Sequence, residues 1–252
     1  MPSPNMASSR IAQPEQWNAI VRRYAAGEYR ARVCADLIRS DIGPEDRPRI
    51  LDIGCGRGFF DDPGIQRSLA ACAGEYVGVE PDTAIQSGEW VSHVYPEVLE
   101  QAPIPPASID LALCAMVLEH LDQPERFFAK LLEILRPDGI FWGFTVDKRH
   151  WFAYASLAAH SLGIKRNYLD KVNGRPGEDR YENYDVVYAA NTPADLRRLT
   201  REFSRCDILN LSQPGQIDFY FPRGLRWVGR ALDGAGKIAG MPGPLLAVRL
   251  VR

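Results

Sequence analysis

Gly54, Gly56 and Gly58 occupy alternate positions directly after the apolar run Ile50-Leu51-Asp52-Ile53, and Glu80 follows about 22 residues later. A short buried strand running into glycines lets the backbone approach a ligand where a side chain would collide. An acid closing the next strand, Glu75 to Glu80, stands near the spacing at which a carboxylate meets ribose hydroxyls. The pair points to a cofactor carrying a nucleoside. A dinucleotide fingerprint counted from Gly54 needs glycine at position 59, and Phe59 stands there, with the third glycine one residue early at Gly58. For acid–base work the chain has only 4 histidines. His120 follows the fourth strand and His150 the fifth, both on the ligand side of a sheet, and imidazole has the pKa a general base needs near neutral pH. His93 and His160 read as structural or exposed.

These residues need strands to hold them. Ile109–Ala115 and Ile140–Val146 read as the fourth and fifth strands, and Val91, Val94 and Val98 hint at a short third one. Helical spacing of Phe127, Phe128, Leu131, Leu132 and Leu135 predicts a helix from Pro124 to Arg136, stopped by Pro137-Asp138-Gly139. Another helix should run from Pro63 to Ala73 with Asp62 as its N-cap, and a third from Thr192 to Phe203, capped by Asn191 or Thr192. Asp207–Leu211 and Leu245–Val251 supply the last strands. Strands alternating with helices predict an α/β fold with a doubly wound, mostly parallel sheet. Ahead of it, Pro14 to Ser40 reads as one or two amphipathic helices. They form a packing cap, or else carry Tyr24 or Tyr29 over a ligand.

Composition narrows the partners. At 252 residues, 46% hydrophobic and 25% charged, the chain suits one globular α/β domain. A net charge of -2 removes the strongest electrostatic reason to expect nucleic acid, so a small-molecule partner fits better. Cys34, Cys55, Cys72, Cys114 and Cys206 are odd in number and widely spaced, which suggests neither a disulfide framework nor a zinc site and is simplest in a reducing cytoplasm. No apolar run approaches the roughly 20 residues of a bilayer span, and the first ten residues do not read as a signal peptide. Oligomeric state is not legible.

Taken together, Leu51 to Gly58, Val77-Gly78-Val79-Glu80-Pro81-Asp82, Ile109 through Glu119-His120-Leu121, and Leu135 to Gly139 resemble the class I S-adenosylmethionine-dependent methyltransferases. The likeness is to the small-molecule enzymes related to the ubiquinone and menaquinone methyltransferases. It implies a seven-stranded Rossmann-like sheet, S-adenosyl-L-methionine as methyl donor, S-adenosyl-L-homocysteine as product, and no metal. It also implies cofactor contacts at Asp52, Gly54, Cys55, Gly56, Gly58, Glu80 and Pro81, and at the carbonyl of Cys114 or Ala115. Asp52 would help hold the methionine ammonium and Glu80 the ribose diol. Relatives carry an acid that meets adenine at the position of Val98, which leaves Glu97, Glu100 or backbone alone to recognise it. Absence of an Asn/Asp-Pro-Pro-Tyr pattern after the fourth strand makes a hydroxyl or activated carbon the expected acceptor: a sugar, glycolipid or secondary metabolite for O-methylation, or a quinone-type ring carbon.

The resulting organisation is one methyltransferase domain: a helical cap at 11–48, a cofactor core at 49–147, a lid insertion at 148–190, and a C-terminal part at 191–252 with a helical insertion at 214–243. Trp151, Phe152, Tyr154, Tyr168, Tyr181, Tyr184 and Tyr188, interleaved with Arg166, Lys171, Arg175 and Arg180, could wall an acceptor pocket or simply pack. Gly174 to Asp179 reads as a mobile loop. In the last insertion, Leu225, Trp227, Val228, Leu232 and Ile238 alternate with Arg223, Arg226, Arg230 and Lys237. Such a helix covers the sheet or a partner subunit, or associates peripherally with a membrane.

Overall fold

A computed structural model describes residues 14–163 and 185–252. Tyr168, Tyr181, Tyr184, the four interleaved cations and the 174–179 loop therefore lie outside the described residues. The chain runs α1 (Pro14–Ala25), α2 (Arg30–Arg39), β1 (Arg49–Ile53), α3 (Pro63–Ala70), β2 (Glu75–Val79), β3 (His93–Tyr95), β4 (Ile109–Ala115), α4 (Pro124–Ile134), β5 (Leu135–Val146) and α5 (Trp151–Ser161). It continues with α6 (Pro193–Leu199), β6 (Arg205–Leu211), α7 (Arg226–Ile238) and β7 (Leu245–Val251). One seven-stranded sheet has the order β3-β2-β1-β4-β5-β7-β6, with β1 to β5 parallel and β7 antiparallel to both its neighbours. The expected doubly wound, mostly parallel α/β sheet is thus present.

Alternation along the strands divides the core. Leu51, Ile53, Val77, Ala112 and Cys114 pack with Phe127, Phe128 and Leu131 of α4, while Ile50, Tyr76, Leu111 and Trp142 pack with Trp17, Tyr24 and Val33 of α1 and α2. Side chains one residue apart on a strand point to opposite faces, so each strand serves both layers. The N-terminal helices therefore cover one face, and Tyr24 is a fully buried core residue.

Local signals set several boundaries. Asp62 caps α3 by accepting a hydrogen bond from Ile65 N at 2.9 Å with Pro63 in the first turn, and Thr192 caps α6 through Asp195 N at 3.1 Å. Both helices are shorter than their periodicity suggested. Helix α4 also ends early, at Ile134, because Leu135 already pairs with Ile109; the pairing then resumes at Leu111 with Ile140. Between those pairs Arg136, Pro137 and Asp138 bulge outward and exposed, so the anticipated turn is an irregularity within β5.

Candidate functional site

The carboxyl ends of β1, β2, β4 and β5 open into a cavity of about 1030 Å³, closed on its other side by α5 and by Tyr220 and Phe221. Gly54, Gly56 and Gly58 line it. Gly54 has φ +71°, and a Cβ there would lie 2.6 Å from Val117 Cγ2; at Gly58, φ +124°, it would lie 2.5 Å from the Asp62 backbone. Only glycine fits this turn without moving its neighbours. Phe60, Asp61, Met116 and Tyr188 also line the cavity with positive φ between 54° and 60°. Backbone strain of this kind costs about 1–3 kcal/mol per residue and collects at ligand sites.

Glu80 is 4% exposed, and its two carboxylate oxygens accept from Gly56 N and Asp82 N, each at 3.0 Å. Burial raises its pKa, opposed by those two amides. The carboxylate thus both braces the glycine turn and lines the cavity, with lone pairs left to accept from a diol. Glycine cradle, buried acceptor and chamber together fit a nucleoside-bearing donor.

The remaining candidates separate by position. Pro81, Ala115 and Glu100 line the cavity; Glu97 does not, and is half-buried elsewhere. Cys114 turns its side chain into the α4 layer, and Cys55 is buried with Sγ 3.4 Å from Ser87 Oγ. Asp52 also stays behind the wall: it is 2% exposed, and its Oδ2 accepts from Gln66 Nε2 at 2.7 Å and Tyr76 OH at 2.8 Å. Desolvation pushes Asp52 up to about 6, against the pull of those two donors. A carboxyl whose folded pKa lies above its unfolded value stabilises the fold below about pH 4, and that contribution is lost as pH rises through 6. Asp52→Asn should therefore gain about 2 kcal/mol relative to the parent between pH 4.5 and 7.5, read from urea unfolding. A pH-independent difference would refute the burial account.

His150 is not a cavity residue. It is 4% exposed, its Nδ1 accepts from Phe152 N at 3.2 Å, and its Nε2 faces Asp233 Oδ1 at 3.4 Å. Both nitrogens are committed to joining α5 and α7. His120 does line the cavity, and its Nδ1 lies 2.8 Å from the backbone oxygen of Asp185. A carbonyl only accepts, so Nδ1 carries the proton and Nε2 the lone pair in neutral imidazole.

Two residues that sequence reasoning did not place in the site line the same cavity. Glu119 is 3% exposed; its Oε2 accepts from Thr145 Oγ1 at 2.7 Å, and its backbone oxygen accepts from Val187 N and Tyr188 N. Burial raises its pKa, which His120 and Thr145 counteract. An acid directly before His120, in the short turn after β4, was the available signal. Arg30, at the start of α2, brings its guanidinium 4.5 Å from the Phe60 ring centroid and lines the site from the N-terminal cap. Tyr29 is 51% exposed and outside the cavity. No cluster of three or more metal-ligating side chains occurs among the described residues.

A glycine turn after β1, a buried acid after β2 and this strand order define the class I methyltransferase architecture. Residues 26–189 match the family described as a methyltransferase domain. A Mycobacterium sp. (strain KMS) protein called an uncharacterized methyltransferase is 30% identical over 185 residues, 68% of this chain and 71% of that one. The ubiquinone biosynthesis O-methyltransferase of Photobacterium profundum is 29% identical over 120 residues, 45% of this chain and 51% of the relative. In fold, an S-adenosylmethionine-dependent methyltransferase from Archaeoglobus fulgidus superposes with a TM-score of 0.54 at 16% identity, over 93% of this chain and 99% of that one. The chain belongs to the class I S-adenosylmethionine-dependent methyltransferases.

Proposed function

We propose that this methyltransferase acts on a hydroxyl of a small-molecule acceptor, with His120 as general base. The observation carrying this reading is the Nδ1–H bond from His120 to the Asp185 carbonyl, which puts the lone pair of a cavity-lining neutral imidazole on Nε2. S-adenosyl-L-methionine supplies a methyl group already activated on a sulfonium. The protein's work is then to hold, align and dehydrate. Glu80 accepts from the ribose hydroxyls, Glu100 or backbone meets the adenine, and the turn at 54–58 accommodates the methionine end. Asp52 acts from behind, holding Gln66, whose Nε2 also donates to the Cys55 carbonyl at 2.8 Å. Phe60, Trp151, Phe152, Tyr188 and Phe221 exclude water over the acceptor. His120 Nε2 takes the hydroxyl proton, which makes the acceptor oxygen a stronger nucleophile. Glu119 positions it: its carbonyl ties residues 187 and 188 to the turn after β4 and so holds the Asp185 carbonyl in place. The named activity of the Photobacterium relative, an O-methyltransferase, supports the choice of oxygen.

The test is to incubate the protein with 13C-methyl donor and fractionated extract and to read the product by NMR. A methyl ether shift supports the proposal; label on ring carbon or nitrogen overturns it. Glu80→Gln should weaken donor affinity about 10- to 100-fold in calorimetry, the loss of one charged hydrogen-bond set. Unchanged affinity would remove Glu80 from the donor site.

A further inference from the structure

We infer that α7 docks the protein onto an anionic lipid surface. The helix is mounted through two of its glycines. Gly229 is buried against the Phe221 ring, where a Cβ would lie 3.0 Å away, and Gly236 faces Met241, 3.3 Å from its Sδ by the same measure. Asp233, the single acid of Arg226–Ile238, also turns inward and accepts from Trp151 Nε1 at 2.9 Å. The face usually buried is therefore turned out.

Trp227 and Ile238, 66% and 91% exposed, lie 11 residues apart on one helical stripe that passes through Ala231 and Gly234. Beside it, at the same spacing, run Arg226, Arg230 and Lys237, all exposed. Arg230 is bonded to Asp218, but Arg223, Arg226 and Lys237 meet no acid among the described residues. A core-covering helix would turn its large apolar residues inward and leave only charge outside. A second copy seated on this face would oppose two basic stripes. A bilayer with anionic headgroups satisfies both halves: the indole and Ile238 enter the interface while the cations meet phosphates. Helix α7 rests on Trp151 and Phe221, which line the cavity, so docking would hold the acceptor chamber next to the lipid.

The whole chain should be sedimented with vesicles of phosphatidylcholine alone and of equal phosphatidylcholine and phosphatidylglycerol, at low salt. Association with the anionic vesicles about 10-fold above the neutral ones is expected, weakening as salt rises. Two surface variants, Trp227→Glu with Ile238→Glu and Arg226→Glu with Lys237→Glu, should each lower the bound fraction about 10-fold without shifting the melting temperature. Either pair suffices should the other fail to fold. No sedimentation with anionic vesicles, or sedimentation undiminished by a folded variant pair, would overturn the inference. So would a dimer in gel filtration that the Trp227 variant converts to monomer.

Discussion

His120→Ala is expected to lower turnover by about 100- to 10,000-fold while leaving donor affinity unchanged, the size of effect a positioned general base contributes. One hydrogen bond fixes the tautomer of the base. Because the Asp185 backbone oxygen accepts from Nδ1, neutral imidazole keeps its lone pair on Nε2, and the ring is held against the cavity between Glu119 and the 185–188 segment. Donor binding, by contrast, is proposed at the β1 and β2 ends, on the glycine turn and Glu80. Stopped-time assays and calorimetry on the same preparation separate the two. Full turnover in the variant would take His120 out of the mechanism and move attention to Glu119. A Glu119→Gln variant keeps the backbone carbonyl that ties residues 187 and 188, so its turnover should stay far above that of His120→Ala; an equal loss would give the buried side chain a role of its own.

Asp41→Ala should destabilise the fold by about 3–5 kcal/mol, because it strands a buried cation. Asp41 Oδ2 accepts from Arg249 Nε and Trp142 Nε1, each at 2.8 Å, and Oδ1 accepts from Arg249 at 2.8 Å. Both side chains of the ion pair are almost fully buried, Arg249 at 2% and Asp41 at 0%. The guanidinium also lies 5.5 Å from the Trp17 ring centroid. One carboxylate thus fastens the loop after α2 to β5 and β7, and the cap helix α1 to both. Urea unfolding gives the number directly. A loss under about 1 kcal/mol would mean that water or Asp207, 3.5 Å from Arg249, compensates the cation. Asp41→Asn should recover part of the loss, since an amide oxygen still accepts from Trp142.

The core of this protein was legible because its signals are local. A four-residue apolar run, three glycines and an acid ending the next strand are set by strand length and turn geometry, which neighbouring residues decide. Asp62 and Thr192 as helix caps, and the strands at 109–115 and 245–251, were readable for the same reason. Boundaries failed where a partner intervened: β5 claims Leu135 from α4 because Ile109 is there to pair with it.

What the amino-acid order determined by itself, then, was the strand-turn-strand unit from Ile50 to Glu80, whose residues are close in the chain and whose glycines and acid line the cavity. The rest of the cavity wall was decided only in three dimensions. His120 and His150 looked alike as residues following strands, yet the fold opens one to the cavity and closes the other between α5 and α7. Asp185 reaches His120 across 65 positions, and Arg249 reaches Asp41 across 208. No periodicity encodes such meetings, because they depend on where separate elements pack. The orientation of α7 follows the same rule: its pattern announced two faces, and only the fit of Gly229 and Gly236 against Phe221 and Met241 decided which one meets the outside.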